Sequence, residues 1–314
     1  MKFYFCNPIT LILAYSEFGS KIKSAVFVGN YFRNMEYKQF QLQNKFQRQY
    51  ATKICERLQI QFQYIDSEQF VSLQTEPDFL EVNLASKKKF KNDPELIFQS
   101  SDVYTAFGKN RQIHYLLTRI KLQKLYQNGL KDHTKSNFYV FSESRIKNKK
   151  YKIKNLDRVK FVKIANEIGT SLDLEIYSNF IKIASKKILL LLPPIAETAD
   201  KTFYNNFMSK AQEIAIEKGL EILIKPHRND TTNYNNESIN IKYISIKNIN
   251  YYPVELLFNL NCIKLVISGP SSSLIFADKT KLMVYVPSDR SNYRKYYLNQ
   301  ENFLRYTNIK KEFL

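Results

Sequence analysis

Residues 220–228 read LEILIKPHR, an apolar run that ends in Lys225, Pro226, His227 and Arg228. The run has the length and composition of a buried strand, so it brings three cationic side chains to one strand end, the side of a parallel sheet where ligands bind. Three converging cations suit an anion. His227 in this place can hydrogen-bond a phosphate oxygen and, when protonated, stabilise the charge that builds on a departing phosphate. The plain alternative is a loop of exposed basic residues.

A second cluster lies at 265–277, LVISGPSSSLIFA. An apolar strand ends at Gly269 and Pro270, after which Ser271, Ser272 and Ser273 open a helix as its N-cap and first turn. Unpaired first-turn amides, the positive end of the helix dipole and three hydroxyls together make a phosphate seat. Capping alone accounts for one serine; three in succession exceed what a cap uses.

Both clusters need elements that hold them at a common edge. The chain opens on a short apolar strand at 3–6 and a helix beginning near Pro8, whose missing N–H is harmless in a first turn. A strand at 25–28 follows, stopped by Gly29. A polar segment with spaced Phe, Tyr, Ile and Leu at 35–58 predicts a surface helix, and 60–65 predicts a third strand. That is the β-α-β-α-β rhythm of a doubly wound sheet. The order within 67–132 is hard to read, although 113–126 carries a helical apolar stripe with His114 as a surface residue on it. The segment NFYVF at 137–141 predicts a strand that runs into Ser142, Glu143 and Ser144, and the Lys- and Arg-rich run at 145–154 reads as a solvated loop.

A second rhythm starts at 188–192, where ILLLL predicts a strand covered on both faces and ended by Pro193 and Pro194. In 201–218, Phe203, Phe207, Ala211, Ile214 and Ala215 fall on one helical face, and Gly219 stands at the C-cap. The strand before Lys225, an Asn-rich stretch, a helix at 253–260 and a strand at 264–267 complete the half. The fold class is α/β: two Rossmann-like domains facing a cleft, one at 1–182 and one at 183–314.

Composition agrees with this division. A length of 314 residues exceeds the usual single domain of about 150. Hydrophobic residues form 44% of the chain, with only 7 Gly and 9 Pro, which supplies cores and excludes a disordered or repetitive chain. The balance of 48 Lys+Arg against 29 Asp+Glu attracts polyanions: nucleic acid, acidic membrane surfaces, nucleotide donors or acidic glycans. Cys6, Cys55 and Cys262 are odd in number and widely spaced, as buried thiols of a reducing compartment are. With three His and no Cys cluster there is little from which to build a structural zinc site. The apolar N-terminus is interrupted by Pro8 and followed by Glu17, so a buried strand and helix are expected there, in a cytoplasmic protein without a membrane span.

The sequence of a strand ending in Lys225-Pro226-His227, a long connection, and an apolar strand running into paired serines before a helix resembles the histidine and serine-pair motifs of bacterial sialyltransferases. These are the lipooligosaccharide sialyltransferases and the related capsular polysialyltransferases. FCNPIT at 5–10, LLLLPPIAET at 189–198 and PVELL at 253–257 are similar to further parts of that family. The resemblance implies a GT-B glycosyltransferase that is inverting, metal-independent and free of cofactors. It implies a CMP-sugar donor carrying a nonulosonic acid and a glycan or glycolipid acceptor. By the same resemblance His227 contacts the donor phosphate and assists its departure, while Lys225 and Arg228 add charge in place of a metal. Gly269, Ser271, Ser272 and Ser273 bind CMP. The family's general base sits in an acidic-acidic-Gly motif after an N-domain strand; the corresponding Ser142-Glu143-Ser144 keeps one acid, which makes Glu143 the base. Asp66 with Glu68, and Asp173 with Glu175, are isolated acids and read as surface features rather than a metal pair.

Two other readings stand beside this one. A transferase of the same fold could use a different nucleotide sugar. A basic nucleic-acid-binding protein would use the charge together with stacking aromatics, but the aromatics fall at core-like positions and no nucleic-acid-binding motif is present, so nucleic acid is not an expected partner. The basic surface also allows a peripheral contact with the anionic inner membrane.

Overall fold

A computed structural model describes residues 1–29, 37–85, 90–92, 94–98, 135–141, 152–169, 178–179, 182–194, 201–227, 230, 234, 243–288 and 309–314. The expected helix at 113–126 with His114, the Ser142-Glu143-Ser144 turn, Asp173, Glu175 and Arg228 lie outside the described residues. The chain divides into two compact units, Met1–Ile168 and Gly169–Leu314. Each is α/β and built on a parallel sheet.

In the first unit the strands are β1 (Lys2–Phe5), β2 (Ser24–Gly29), β3 (Gln61–Asp66), β4 (Phe79–Glu81), β5 (Glu95–Phe98), β6 (Asn137–Val140) and β7 (Lys152–Asn155). Their order is 3-2-1-4-5-6-7. The connecting helices are α1 (Pro8–Phe18), α2 (Tyr37–Arg57), α3 (Ser67–Ser72) and α4 (Val82–Ala85), and α5 (Arg158–Gly169) follows β7. Alternation along β1 explains the two-sided core. Phe3 and Phe5 pack with Phe79 and Phe27 on one face, where Phe18 of α1 also meets Phe79, while Tyr4 meets Phe70 of α3. A Cβ at Gly29 would press on the Tyr64 ring, which would have to shift to admit a side chain.

The second unit repeats the topology. Strands β8 (Ile188–Leu192), β9 (Glu221–Ile224), β10 (Tyr243–Ile244), β11 (Ile263–Ser268), β12 (Leu282–Val286) and β13 (Lys311–Phe313) run in the order 10-9-8-11-12-13. Helix α6 (Lys201–Lys218) covers the sheet with Phe203, Phe207, Ala211, Ile214 and Ala215 packed against Leu189, Leu191, Ile222 and Ile224. It ends as its sequence predicts. Gly219 takes a φ of 59°, and the Leu220 N–H closes back on the Ala215 carbonyl at 2.8 Å, the bond of a Schellman cap.

Three expectations change. The basic run at 145–154 is not all loop, since its last residues form β7, an edge strand whose lysines discourage further strand pairing. The helix expected at 253–260 is only the four-residue α7 (Val254–Leu257), because the tight turns flanking it carry the chain directly into β11. The serines open no α-helix: Ser272–Phe276 is a five-residue 3-10 turn, closed by the Ala277 N–H on the Leu274 carbonyl. Among the described residues no helix is long and apolar enough to cross a membrane. Cys6, Cys55 and Cys262 are buried thiols, and burial pushes the Cys55 thiol up to about 12.

Both sheets reverse their winding beside their first strand, and the first unit fills that crevice with its own carboxylate. Glu81, at the end of β4, is fully buried and accepts from the Cys6 N–H at 2.8 Å, the Asn7 N–H at 3.1 Å, the Cys6 thiol at 3.2 Å and the Asn83 amide at 2.9 Å. Asn7 is also the N-cap of α1, accepting from the Ile9 N–H at 3.0 Å. Glu81→Ala is expected to lower stability by about 3 kcal/mol in urea titration, because it removes the acceptor of two buried amides. Burial raises the Glu81 carboxyl above its ordinary value, and the bonds from Cys6, Asn83 and Asn7 offset that only in part. The folded chain then keeps this proton where the unfolded chain has lost it, so the contribution to stability is complete at low pH and declines as pH rises through the raised value. The advantage of wild type over Glu81→Gln should therefore shrink from about pH 4 upward; a constant difference to about pH 8 would contradict it.

Candidate functional site

The second sheet places the two sequence clusters at one edge. Leu191 pairs with Ile224 on one side and with Ile267 on the other, and Leu192 pairs with Ser268. The Lys225 N–H donates to the Leu191 carbonyl at 2.9 Å, so Lys225, Leu192 and Ser268 form the next row at the C-terminal ends of β9, β8 and β11. Two strand spacings separate the ends of β9 and β11, roughly 10 Å. This is the switch point of the sheet, where the chain leaves β8 in one direction and returns to it as β11.

Lys225 is buried, and its ammonium donates to the Pro226 carbonyl at 3.2 Å and the Asn250 carbonyl at 3.0 Å. The two carbonyls orient the ammonium at the strand end. Two residues on, His227 is exposed. Its carbonyl accepts from the Asp230 N–H at 2.9 Å, and the buried Asp230 carboxylate in turn accepts from the Tyr234 hydroxyl at 2.6 Å. Burial, followed by Asp230, pushes the Tyr234 hydroxyl upward, which keeps it a donor at every working pH. The turn that carries His227 is thus anchored from within.

On the other side, Gly269 and Pro270 are buried and Ser271 and Ser273 are half-buried. Ser271 caps the 3-10 turn, its hydroxyl accepting from the Ser273 N–H at 3.4 Å, as a cap serine should. The dipole expected of a helix is reduced in so short a turn, which leaves the hydroxyls and turn amides as the donors. Ser268 is turned away, donating to the Gly269 carbonyl at 2.6 Å. A Cβ at Gly269 would meet only the Pro194 Cβ, at 3.8 Å, so this glycine brings the turn close to the end of β8 without being sterically required.

Sequence reasoning did not single out Glu255. It lies on α7, is buried, and accepts from the Ser273 hydroxyl at 3.1 Å, which fixes the direction of that hydroxyl. The available signal was a lone acid inside the apolar stretch VELL. Asp66, by contrast, is accounted for locally. It accepts from the Glu68 and Gln69 N–H groups as the N-cap of α3 in a capping box. Among the described residues no group of three or more His, Cys, Asp or Glu side chains gathers at one point.

Tyr234→Phe removes the donor to a buried carboxylate and is expected to cost about 2 kcal/mol in urea titration with an unchanged m-value. A loss under about 0.5 kcal/mol would mean that the turn is held by other contacts. Compared with known proteins, the chain matches no family model and no curated protein.

Proposed function

We propose that the chain is a GT-B glycosyltransferase, inverting and metal-independent, that moves sialic acid or a related nonulosonic acid from a CMP-activated donor to a hydroxyl of a surface glycan, lipooligosaccharide or capsule. The observation that carries the reading is the row formed by Lys225, Leu192 and Ser268, which sets the histidine turn and the serine turn on either side of one switch point. That span of roughly 10 Å suits a nucleotide phosphate bridging the two turns.

In this reading the Ser271 hydroxyl donates to the nucleotide, Ser273, whose proton goes to Glu255, presents its oxygen as an acceptor beside it, and Ser272 lies between them. Lys225 supplies field rather than contact, since its ammonium is already turned toward two carbonyls. His227 is exposed and so placed to reach the phosphate. The acceptor oxygen attacks the anomeric carbon on the face opposite the phosphate: the new glycosidic C–O bond forms, the C–O bond to phosphate breaks, and CMP departs with the electron pair. His227 and Arg228 stabilise the charge on that phosphate. The acceptor proton passes to Glu143, and the cations stand where a metal would otherwise serve. No cofactor takes part.

A basic nucleic-acid-binding protein is less well supported. Among the described side chains Phe313 is the one exposed aromatic, which leaves little for base stacking.

Calorimetric titration of CMP and of UDP, with a chelator present, tests the proposal. CMP is expected to bind wild type, with affinity falling at least about tenfold in His227→Ala and in Ser271→Ala with Ser273→Ala, a loss of about 1.4 kcal/mol. Tighter binding of UDP would move the reading to another nucleotide sugar, and binding of neither would overturn it.

A further inference from the structure

The excess positive charge is unevenly distributed. Residues 145–163 hold nine Lys and Arg against Asp157 alone, a net +8 of the chain's formal +19. Within the described part of this run, β7 contributes exposed Lys152 and Lys154, and α5 contributes Arg158 and exposed Lys160 and Lys163. Edge protection accounts for the strand lysines. It does not account for the helix.

Helix α5 docks on its unit through Phe161, Ala165 and Ile168, all buried, with Phe161 edge-on to Phe141 at 5.3 Å. Its outer face carries Val159, Lys160, Lys163, Asn166 and Glu167. Two features there run against local preference. Arg158 and Lys160 stand in the first turn, where the helix dipole disfavours cations, and Val159 is 77% exposed, more than any other large hydrophobic side chain described. The acid nearby is occupied at the backbone: Asp157 accepts from the Val159 N–H at 2.8 Å and from the Lys160 N–H at 3.4 Å. A Val159 this exposed beside Lys160 in a first turn without an acid breaks local preference, and such breaks fall at functional or strained sites.

We infer that the basic β7–α5 segment of the first unit, with Lys160 and Lys163 beside Val159 on one helix face and Lys152 on the preceding edge strand, docks on an anionic lipid surface. An anionic leaflet attracts a cluster of basic side chains, and a protruding aliphatic side chain among them enters the headgroup boundary. Single-stranded nucleic acid fits the face less well. Stacking needs exposed rings, and the described aromatics of this region, Tyr139, Phe141 and Phe161, are buried. The surface is the convex side of a helix beside an edge strand. The inference does not rest on the identity of any donor or acceptor, so it can fail while the transferase reading stands, and the reverse.

Co-sedimentation with phosphatidylcholine vesicles, with and without phosphatidylglycerol, provides the test. Wild type is expected to sediment with the anionic vesicles only, and less as salt rises. Each lysine removed should weaken partition about fivefold, so Lys152→Gln, Lys160→Gln and Lys163→Gln together should weaken it about a hundredfold. Val159→Ser alone should weaken it several-fold at constant charge. A control carrying the same charge loss in the second unit, Lys182→Gln, Lys187→Gln and Lys201→Gln, should retain binding. Equal losses in the two triple variants would mean that net charge, not this face, is responsible. No preference for anionic vesicles, or displacement from them by a single-stranded oligonucleotide through the same three lysines, would overturn the assignment.

Discussion

A parallel sheet delivers every strand end to one edge, and when its winding reverses beside the first strand, the loops there part to leave a crevice. This constraint acts twice in the chain, with strand orders 3-2-1-4-5-6-7 and 10-9-8-11-12-13. What differs is the group each unit places in the crevice. In the first, Glu81 takes the Cys6 and Asn7 amides for itself, so the amides that would greet an anion at the start of α1 are already matched by a carboxylate. In the second, the corresponding edge carries the Lys225 ammonium and the hydroxyls of Ser271 and Ser273. One topology thus yields an edge whose amides are already taken and an edge that presents an ammonium and hydroxyls, and the difference lies in a few residues at strand ends.

How far the chain could be read from its sequence follows the same physics. Segments whose environment is uniform announce themselves. ILLLL at β8 is covered on both faces, and α6 shows its buried stripe and its Gly219 cap. Elements decided by tertiary context do not. β4 is three residues long and ends in the buried carboxyl of Glu81, where a pattern reader expects an apolar residue. β7 reads KIKN because it is an edge strand, and its lysines resemble those of a loop. The Lys225 and serine clusters were legible because strand ends are where a parallel sheet works. Glu255 was not, since its contact with Ser273 spans 18 positions and exists only after folding.

The serine turn keeps its place at the strand end but loses the cause expected for it. The expected benefit of a helix dipole needs several aligned peptide units, and Ser272–Phe276 is a short 3-10 turn. The groups that remain are specific rather than diffuse: the Ser271 hydroxyl, held by its cap bond and still able to donate, and the Ser273 oxygen, fixed by its bond to Glu255. A dipole attracts any anion, whereas oriented hydroxyls also discriminate geometry. The change of cause therefore shifts the expected character of the site from affinity toward selectivity.

The cations divide by the same logic. Lys225 is withdrawn from water and braced by two carbonyls, so salt screens its field poorly and the charge acts within a few ångströms of the strand end. Lys152, Lys160 and Lys163 stand in solvent, where a Debye length of about 8 Å at physiological salt limits each one and only their number makes an attractive surface. A buried ammonium costs desolvation, and the carbonyl dipoles offset part of that cost. Exposed lysines cost little and contribute little singly. Positioned charge at the switch point and accumulated charge on the β7–α5 face are thus two separate uses of the same residue type, distinguishable by how steeply each responds to ionic strength.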